Sequence, residues 1–135
     1  MNNEFAQTVG DMGRIYTPRE AVDLVKDFYV IKNTGLVTVL RLNKNREVIG
    51  ISHNKTDLDL AWRLGTVHDA VNENGCSSVV VLYDGIGCAK KIREMASDIL
   101  DLKSKLNCVG VSLANVISID RRSFYSWYDE RAYSL

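Results

Sequence analysis

The sequence contains few proline, cysteine and histidine residues: its 135 positions hold one proline, three cysteines and two histidines. The cysteines, Cys76, Cys88 and Cys108, are an odd and widely spaced set, which argues against a disulfide framework and for a reducing compartment. The 17 basic and 17 acidic residues cancel, so no overall field attracts nucleic acid or an anionic membrane. Neither a secretory signal nor an apolar run near the roughly 20 residues that cross a bilayer is present. We therefore expect a cytoplasmic protein without a membrane partner.

The composition is that of an ordinary globular domain. Apolar residues make up 46% and charged residues 25% of the chain, as is typical of soluble proteins. The length suits a single hydrophobic core. We expect residues 1–16 to form an N-terminal arm and residues 17–135 to form one domain.

Apolar periodicity predicts alternating helices and strands. Thr17-Pro18-Arg19-Glu20 is a capping box with proline at the first helical position, so a helix should begin there and end near Tyr29. Leu36–Leu42 and Glu47–His53 have the pattern of two hairpin strands. A second helix is predicted over about residues 58–74, with an apolar face formed by Leu60, Leu64, Val67 and Val71. It is followed by a strand covered on both faces, Ser78–Tyr83, and later by one or two strands in Val109–Ile119. Between these strands lies a long helix whose predicted buried residues are Ile92, Met95, Ala96, Ile99, Leu102 and Leu106. This order favours an α/β fold with a mixed sheet and helices on both faces.

Four local patterns together resemble a known family. They are the capped helix at Thr17–Glu20, the strand, turn and strand of Val39–Asn45 with Val48-Ile49, the small-residue entry Gly75–Ser78 into an apolar strand, and the closing Tyr125-Ser126-Trp127 with Glu130-Arg131. In order and spacing, over about residues 17–133, they resemble the JAB (MPN) domain of RadC-like proteins. The resemblance implies a three-layer α/β/α fold of the cytidine-deaminase-like class with a mixed central sheet, and it suits a chain carried by a phage or another mobile element.

That family binds zinc through two histidines and an acidic residue, and a hairpin glutamate acts on the metal-bound water in the open fourth position. Here the histidine positions fall on Tyr83 and Gly85, with Asp84 between them, and the glutamate falls near Ser52. Lys91 and Glu94 lie nearest the acidic position, and a later aspartate–histidine pair falls on Ala114-Asn115. The resemblance therefore implies a degenerate site, without metal, cofactor or catalytic residue, at Ser52, Tyr83, Asp84, Gly85 and Glu94.

A rebuilt catalytic site is an alternative. His53 and His68 could bind a metal with Asp57 or Asp69, although surface or boundary histidines are the plainer interpretation. Cys88 precedes a helix N-terminus, where a thiol pKa can be depressed, and could act as a nucleophile with a histidine as its base. Its plainer role is to fill space at a turn. Such an enzyme would be a hydrolase with its rebuilt site around Asp84, Cys88 and a histidine.

The glycine pair Gly85 and Gly87, followed by Lys90 and Lys91, has features of an anion-binding loop. Backbone amides at a strand-to-helix turn can hold an anion, and the two lysines would add charge. Two glycines in this spacing are a weak signal, and the Rossmann and P-loop spacings are absent. A tight turn is the preferred interpretation.

The C-terminal segment is rich in aromatic residues and arginine. Its candidate interface residues are Phe124, Tyr125, Trp127, Tyr128, Arg131 and Tyr133. They suit a last strand packed on the domain's own core, a protein interface, in which Tyr, Trp and Arg concentrate, or a surface that stacks on single-stranded bases. The basic residues that would serve nucleic acid are Lys90, Lys91, Arg93, Arg121 and Arg122.

From these features we expect a non-catalytic JAB-like domain with an interaction or scaffolding role, which binds a protein partner or associates with itself as a homo-oligomer. The first alternative is a nucleic-acid-associated protein of the DNA-repair type, and the second is the hydrolase with a rebuilt site. The first of these alternatives rests partly on family association, and a fold does not determine an activity.

Overall fold

The computed structural model describes residues 13–30, 35–88 and 90–135. These residues form three α-helices and six strands, with a short 3₁₀ helix, Ile92–Met95, leading into the last helix. The helices are α1 (Pro18–Val30), α2 (Leu60–Asn72) and α3 (Ala96–Cys108), and the strands are β1 (Leu36–Leu42), β2 (Val48–Lys55), β3 (Ser78–Asp84), β4 (Ser112–Ile119), β5 (Ser123–Ser126) and β6 (Arg131–Ser134). Among the described residues, no helix combines the length and apolarity needed to cross a bilayer.

The strands form one mixed sheet in the order β2-β1-β3-β4-β5-β6. β1 runs antiparallel to both β2 and β3, whereas β3 and β4 are parallel and are joined through α3. β5 and β6 continue the sheet as an antiparallel hairpin. The predicted α/β class, the mixed sheet and the predicted hairpin are therefore confirmed.

The sheet separates two apolar clusters, one under each helical layer. The α1 side contains Val22 and Val25 with Leu40, Leu82 and Phe124. The opposite side packs α2 and α3 against Val39, Val81 and their neighbours. All seven residues of β3 are buried, which confirms the prediction of a strand covered on both faces.

The predicted capping box begins α1. The Thr17 hydroxyl oxygen accepts a hydrogen bond from the Glu20 amide at 3.2 Å, and the Glu20 carboxylate accepts one from the Thr17 amide at 2.9 Å. Before the helix, Ile15 is buried and its amide donates to the Arg46 carbonyl at 2.9 Å. Residues 13–15 of the predicted arm thus pack on the domain, and residues 1–12 lie outside the described part.

Two helical faces differ from the simplest sequence expectation. In α2 the buried residues are Thr66 and Ala70, whereas Leu60, Leu64 and Val71 of the apolar stripe are 51%, 51% and 55% exposed. In the α3 region, Ala96 was expected on the buried face but is exposed, because α3 begins there after the separate 3₁₀ helix. The other five residues predicted to be buried there, Ile92, Met95, Ile99, Leu102 and Leu106, are buried.

Candidate functional site at the carboxyl ends of β3 and β4

The parallel pair β3 and β4 ends at neighbouring positions, Asp84 beside Ile119. In open α/β sheets, ligands bind outside the carboxyl ends of parallel strands. A depression of about 460 Å³ lies here on the α1 side, lined by Lys26, Asp84 and Arg121 among others. A second of about 220 Å³ lies on the α3 side, and Asp120 borders both. This end of the sheet is therefore the candidate functional region.

The turn after β3 is closed around the carboxylate of Asp84. That side chain is 3% exposed and accepts hydrogen bonds from the amides of Ile86 at 3.0 Å and Gly35 at 3.3 Å. The amides of Gly85 and Cys88 donate to the carbonyls of Ile119 and Asp84. A Cβ atom at Gly87 would collide with the Gly35 backbone and the Asp84 carboxylate, so glycine is needed for this close approach.

These contacts bear on the anion-loop hypothesis for Gly85, Gly87, Lys90 and Lys91. Three amides of the turn already have partners within the protein, and a carboxylate occupies its interior. Lys90 directs its ammonium to the carbonyl of Asp57 at 2.8 Å, away from the turn, while Lys91 lines the smaller depression. The arrangement favours the tight-turn interpretation.

Tyr83 and Cys88 flank the turn on the α2 and α3 side. The Tyr83 hydroxyl donates to the Lys90 carbonyl at 2.8 Å, and burial raises its pKa to about 12. Burial, followed by the nearby Asp84 carboxylate, raises the pKa of the Cys88 thiol to about 11. The shift is opposite to the depression that would activate Cys88, since the thiolate is the nucleophile.

The other positions of the degenerate family site are dispersed. Ser52 lies on β2, opposite Val39 of β1. Its hydroxyl accepts a hydrogen bond from the Arg41 guanidinium at 2.7 Å, and both residues line a separate depression beside α2. Glu94 is exposed and accepts from the Lys91 amide within its own helical turn. Thus only Tyr83, Asp84 and Gly85 meet at the end of β3.

His53 and His68 lie on opposite sides of the sheet. His53 stacks on Phe28 of α1 with ring centroids 4.5 Å apart, and its Nδ1 is 2.8 Å from the Thr38 hydroxyl. That hydroxyl also meets the Tyr29 hydroxyl at 2.5 Å. His68 is exposed on α2, beside Asp69 and Asn72. The hypothetical metal site that uses both histidines is therefore not assembled, and Cys88 packs on the side away from His53.

The contacts of His53 predict part of the pH dependence of stability. Partial burial beneath the Phe28 ring lowers the pKa of His53, so the unfolded chain holds this proton more tightly than the folded one. His53 therefore contributes stability above the unfolded pKa of about 6.5, and this is lost as the pH falls toward the lowered folded pKa. We expect His53→Gln to flatten the free energy of unfolding against pH between about 7 and 5. Urea unfolding at several pH values, with exposed Asn54→Gln as control, checks this, and equal slopes for wild type and His53→Gln would refute it.

Of the residues predicted to form a C-terminal interface, some pack within the domain and others are exposed to solvent. Phe124 is 1% exposed and stacks on Tyr133 with centroids 5.1 Å apart. Arg19 lies 5.3 Å from the Phe124 ring and Arg131 lies 4.6 Å from the Tyr133 ring. The Tyr133 hydroxyl donates to Asp129. This half is packed on the domain itself, so Phe124 is a core residue.

Tyr125, Trp127 and Tyr128 lie outside that stack. Tyr125 is 37% and Tyr128 72% exposed, and Trp127 is half-buried against the cluster under α3. The Lys103 ammonium lies 6.0 Å from the Trp127 ring centroid. Beside Tyr125, Lys91 and Arg93 line the depression of about 220 Å³. We call these residues of the α3 side, Lys91, Arg93, Lys103, Tyr125 and Trp127, the basic aromatic patch.

A buried polar network fixes the hairpin that carries the patch. Asn115, 7% exposed, accepts from the amides of Val116 and Tyr128, both at 2.9 Å, and donates to the Ser126 hydroxyl at 2.9 Å. Ser126 in turn accepts from the Asp129 amide at 3.1 Å. In the sequence, Asn115 stands out only as a replaced position of the resembled family. The signal for its role is an amide side chain in the middle of the mostly apolar strand β4.

No protein-family model matches the chain, and no curated protein resembles it at a significant level. The RadC-like resemblance consequently stays a prediction.

Proposed function

We propose that the chain is a non-catalytic JAB-like domain that binds an acidic segment of a partner protein through the basic aromatic patch. The observation that carries the proposal is the depression of about 220 Å³ in which Lys91 and Arg93 flank the half-exposed ring of Tyr125. An aromatic anchor surrounded by cations is the kind of surface that recognises an apolar side chain next to carboxylates.

The charge of the patch favours an acidic partner. Lys91, Arg93 and Lys103 are all exposed, and none donates through its side chain to a described carboxylate. Asp120 is the acidic residue that lines the same depression. Glu94, which accepts from the Lys91 amide, is a second carboxylate beside the patch. Three cations against two carboxylates leave a small local excess of positive charge, although the whole chain is neutral.

Nucleic acid is the second candidate, because Lys91, Arg93 and the turn residues Arg121 and Arg122 lie near one end of the sheet. Base stacking requires free aromatic faces. Tyr125 is 37% exposed, and Trp127 is half-buried with Lys103 over its ring. The limited access to these rings favours a protein segment over single-stranded bases.

The remaining parts of the proposal have their own support. The order helix, hairpin, helix, strand, helix and strand fits the proposed RadC-like class. The lack of a catalytic role is supported by the structural use of Asp84 and by the raised pKa of Cys88.

Charge reversal in the patch is expected to abolish most of this binding. Twelve-residue peptides selected on the protein from a random displayed library should be enriched in Asp and Glu. By fluorescence anisotropy, the double variant Lys91→Glu, Arg93→Glu should bind a selected peptide at least about tenfold more weakly, since each reversed charge meets a carboxylate. Lys44→Glu, in the exposed turn between β1 and β2, is the matched control and should bind like wild type.

Two results would refute the proposal. One is a selection without acidic enrichment, and the other is an equal loss in the patch variant and the Lys44→Glu control. A labelled twelve-nucleotide oligothymidylate in the same assay tests the alternative. Binding to it that is tighter than peptide binding and falls steeply with salt would favour nucleic acid instead.

A further inference from the structure

The apolar stripe of α2 faces solvent. It consists of Leu60, Leu64, Val67 and Val71, of which three are 51–55% exposed and Val67 is half-buried. The side of α2 that faces the core contains the buried Thr66 and Ala70, with Trp62 and Val67 packed partly against the same apolar cluster. Solvated helix faces are normally polar, so a row of three exposed aliphatic side chains, with the half-buried Val67 at its edge, indicates a surface that a partner covers.

Contacts on the flank of the helix fix this orientation. Arg63 forms ion pairs with Asp98 at 3.2 Å and Asp101 at 2.9 Å, both on α3. Asp59 caps the helix by accepting from the Trp62 amide at 2.9 Å. These contacts fix the rotation of α2 about its axis, so that the stripe faces solvent. Its exposure therefore follows from the way α2 packs against α3.

The spacing of the stripe is the same when it is read in either direction. Its intervals are four, three and four residues, which is the spacing of helices that pack at about 20°. An antiparallel copy placed on a two-fold axis would set Leu60 opposite the second copy's Val71, and Leu64 opposite its Val67. We propose that α2 is a self-association face, on which a second copy of this chain packs its own α2 in antiparallel orientation.

The residues beside the stripe fit a second copy. The exposed neighbours on one flank are Ala61, Gly65, His68 and Asn72, none of which is acidic, lysine or arginine. In a two-fold interface the same patch meets itself, so fixed charges of one sign would be brought together there. On the other flank the charges of Arg63, Asp98, Asp101 and Lys105 are paired with one another. Neither flank therefore brings an excess of one sign against its own copy, and the zero net charge of the chain adds no long-range repulsion.

The size of the face sets the strength of the association. A helix of 13 residues spans about 20 Å, and one such helix pair buries less than the roughly 1,200 Å² of a standard interface. The dimer is therefore weak, with a dissociation constant on the order of 0.1 mM. It is separate from the basic aromatic patch, because α2 contacts α3 through Arg63 and the patch lies at Lys103 on another side of α3.

Sedimentation velocity of the full chain tests the association. Wild type should shift from monomer toward dimer between about 0.01 and 1 mM, and Leu64→Lys should stay monomeric over this range. Leu100→Lys replaces an equally exposed leucine of α3 and should associate like wild type. Thermal unfolding checks that the variants fold. A wild type that is monomeric throughout, or an unchanged dimer in Leu64→Lys, overturns the proposal.

Cysteine cross-linking tests the antiparallel register. In a Cys108→Ser background, which removes the exposed thiol, Leu60→Cys mixed with Val71→Cys should form a disulfide-linked dimer. Leu60→Cys alone should not, because the two copies of this position would lie about 16 Å apart along the helix axis. Preferential linkage of Leu60→Cys with itself would overturn the antiparallel arrangement.

Discussion

Replacing Phe124 with alanine is expected to destabilise the domain by about 3–5 kcal/mol, the range for removing a buried aromatic side chain. Phe124 is 1% exposed and lies in the cluster under α1 with Ile117 and Ile119. The change also removes the stacking on Tyr133, and the rest of the core cannot close the space because β4 holds its position beside β3.

Urea unfolding measures this effect, and Tyr128→Ala is the matched control. Tyr128 belongs to the same predicted interface but is 72% exposed, so its loss should change the free energy of unfolding by no more than about 0.5 kcal/mol. Similar values for the two variants would contradict the division of the C-terminal aromatic residues into core and surface.

The second large effect is expected for Asn115→Ala, at about 2–4 kcal/mol of destabilisation. The side-chain oxygen of Asn115 satisfies the amides of Val116 and Tyr128, and its amide group satisfies the Ser126 hydroxyl. Alanine leaves these polar groups without a hydrogen-bond partner in the protein interior. A buried polar group without a partner destabilises the fold by more than a formed hydrogen bond stabilises it. The turn between β5 and β6 should loosen as well.

Hydrogen exchange separates this local effect from general destabilisation. In Asn115→Ala the amides of Tyr128 and Asp129 should lose protection before those of β3. Asn107→Ala replaces an exposed asparagine of α3 and serves as the control, with a change within about 0.5 kcal/mol. Retained protection of the Tyr128 amide in Asn115→Ala would contradict the role assigned to this side chain.

The elements that the sequence predicts well are those with local causes. The capping box at Thr17 and Glu20 forms within four residues, and its hydrogen bonds appear as expected. The apolar run of β3 needs no knowledge of its neighbours to indicate a strand covered on both faces. The β1–β2 hairpin likewise depends on one short turn.

The parts that the sequence left open depend on long-range contacts. Periodicity locates the stripe on α2, but the direction it faces is set by the ion pairs of Arg63 with α3, some 35 residues later. The predicted strand ends at Tyr83, whereas β3 includes Asp84. The role of Asp84 in closing the turn depends on the amide of Gly35, which lies just before β1 and far away in the sequence. Similarly, Phe124 and Tyr133 become core partners only through the register of β5 and β6.

The proposed binding role rests on the basic aromatic patch, and an NMR titration tests it most directly. Backbone and side-chain spectra of the full chain would be recorded with increasing amounts of a library-selected acidic peptide. We expect the largest shifts at Arg93, Tyr125 and the Trp127 indole, with smaller changes at the Asp84–Cys88 turn. Shifts centred on that turn, or none at the patch under saturating peptide, would contradict it.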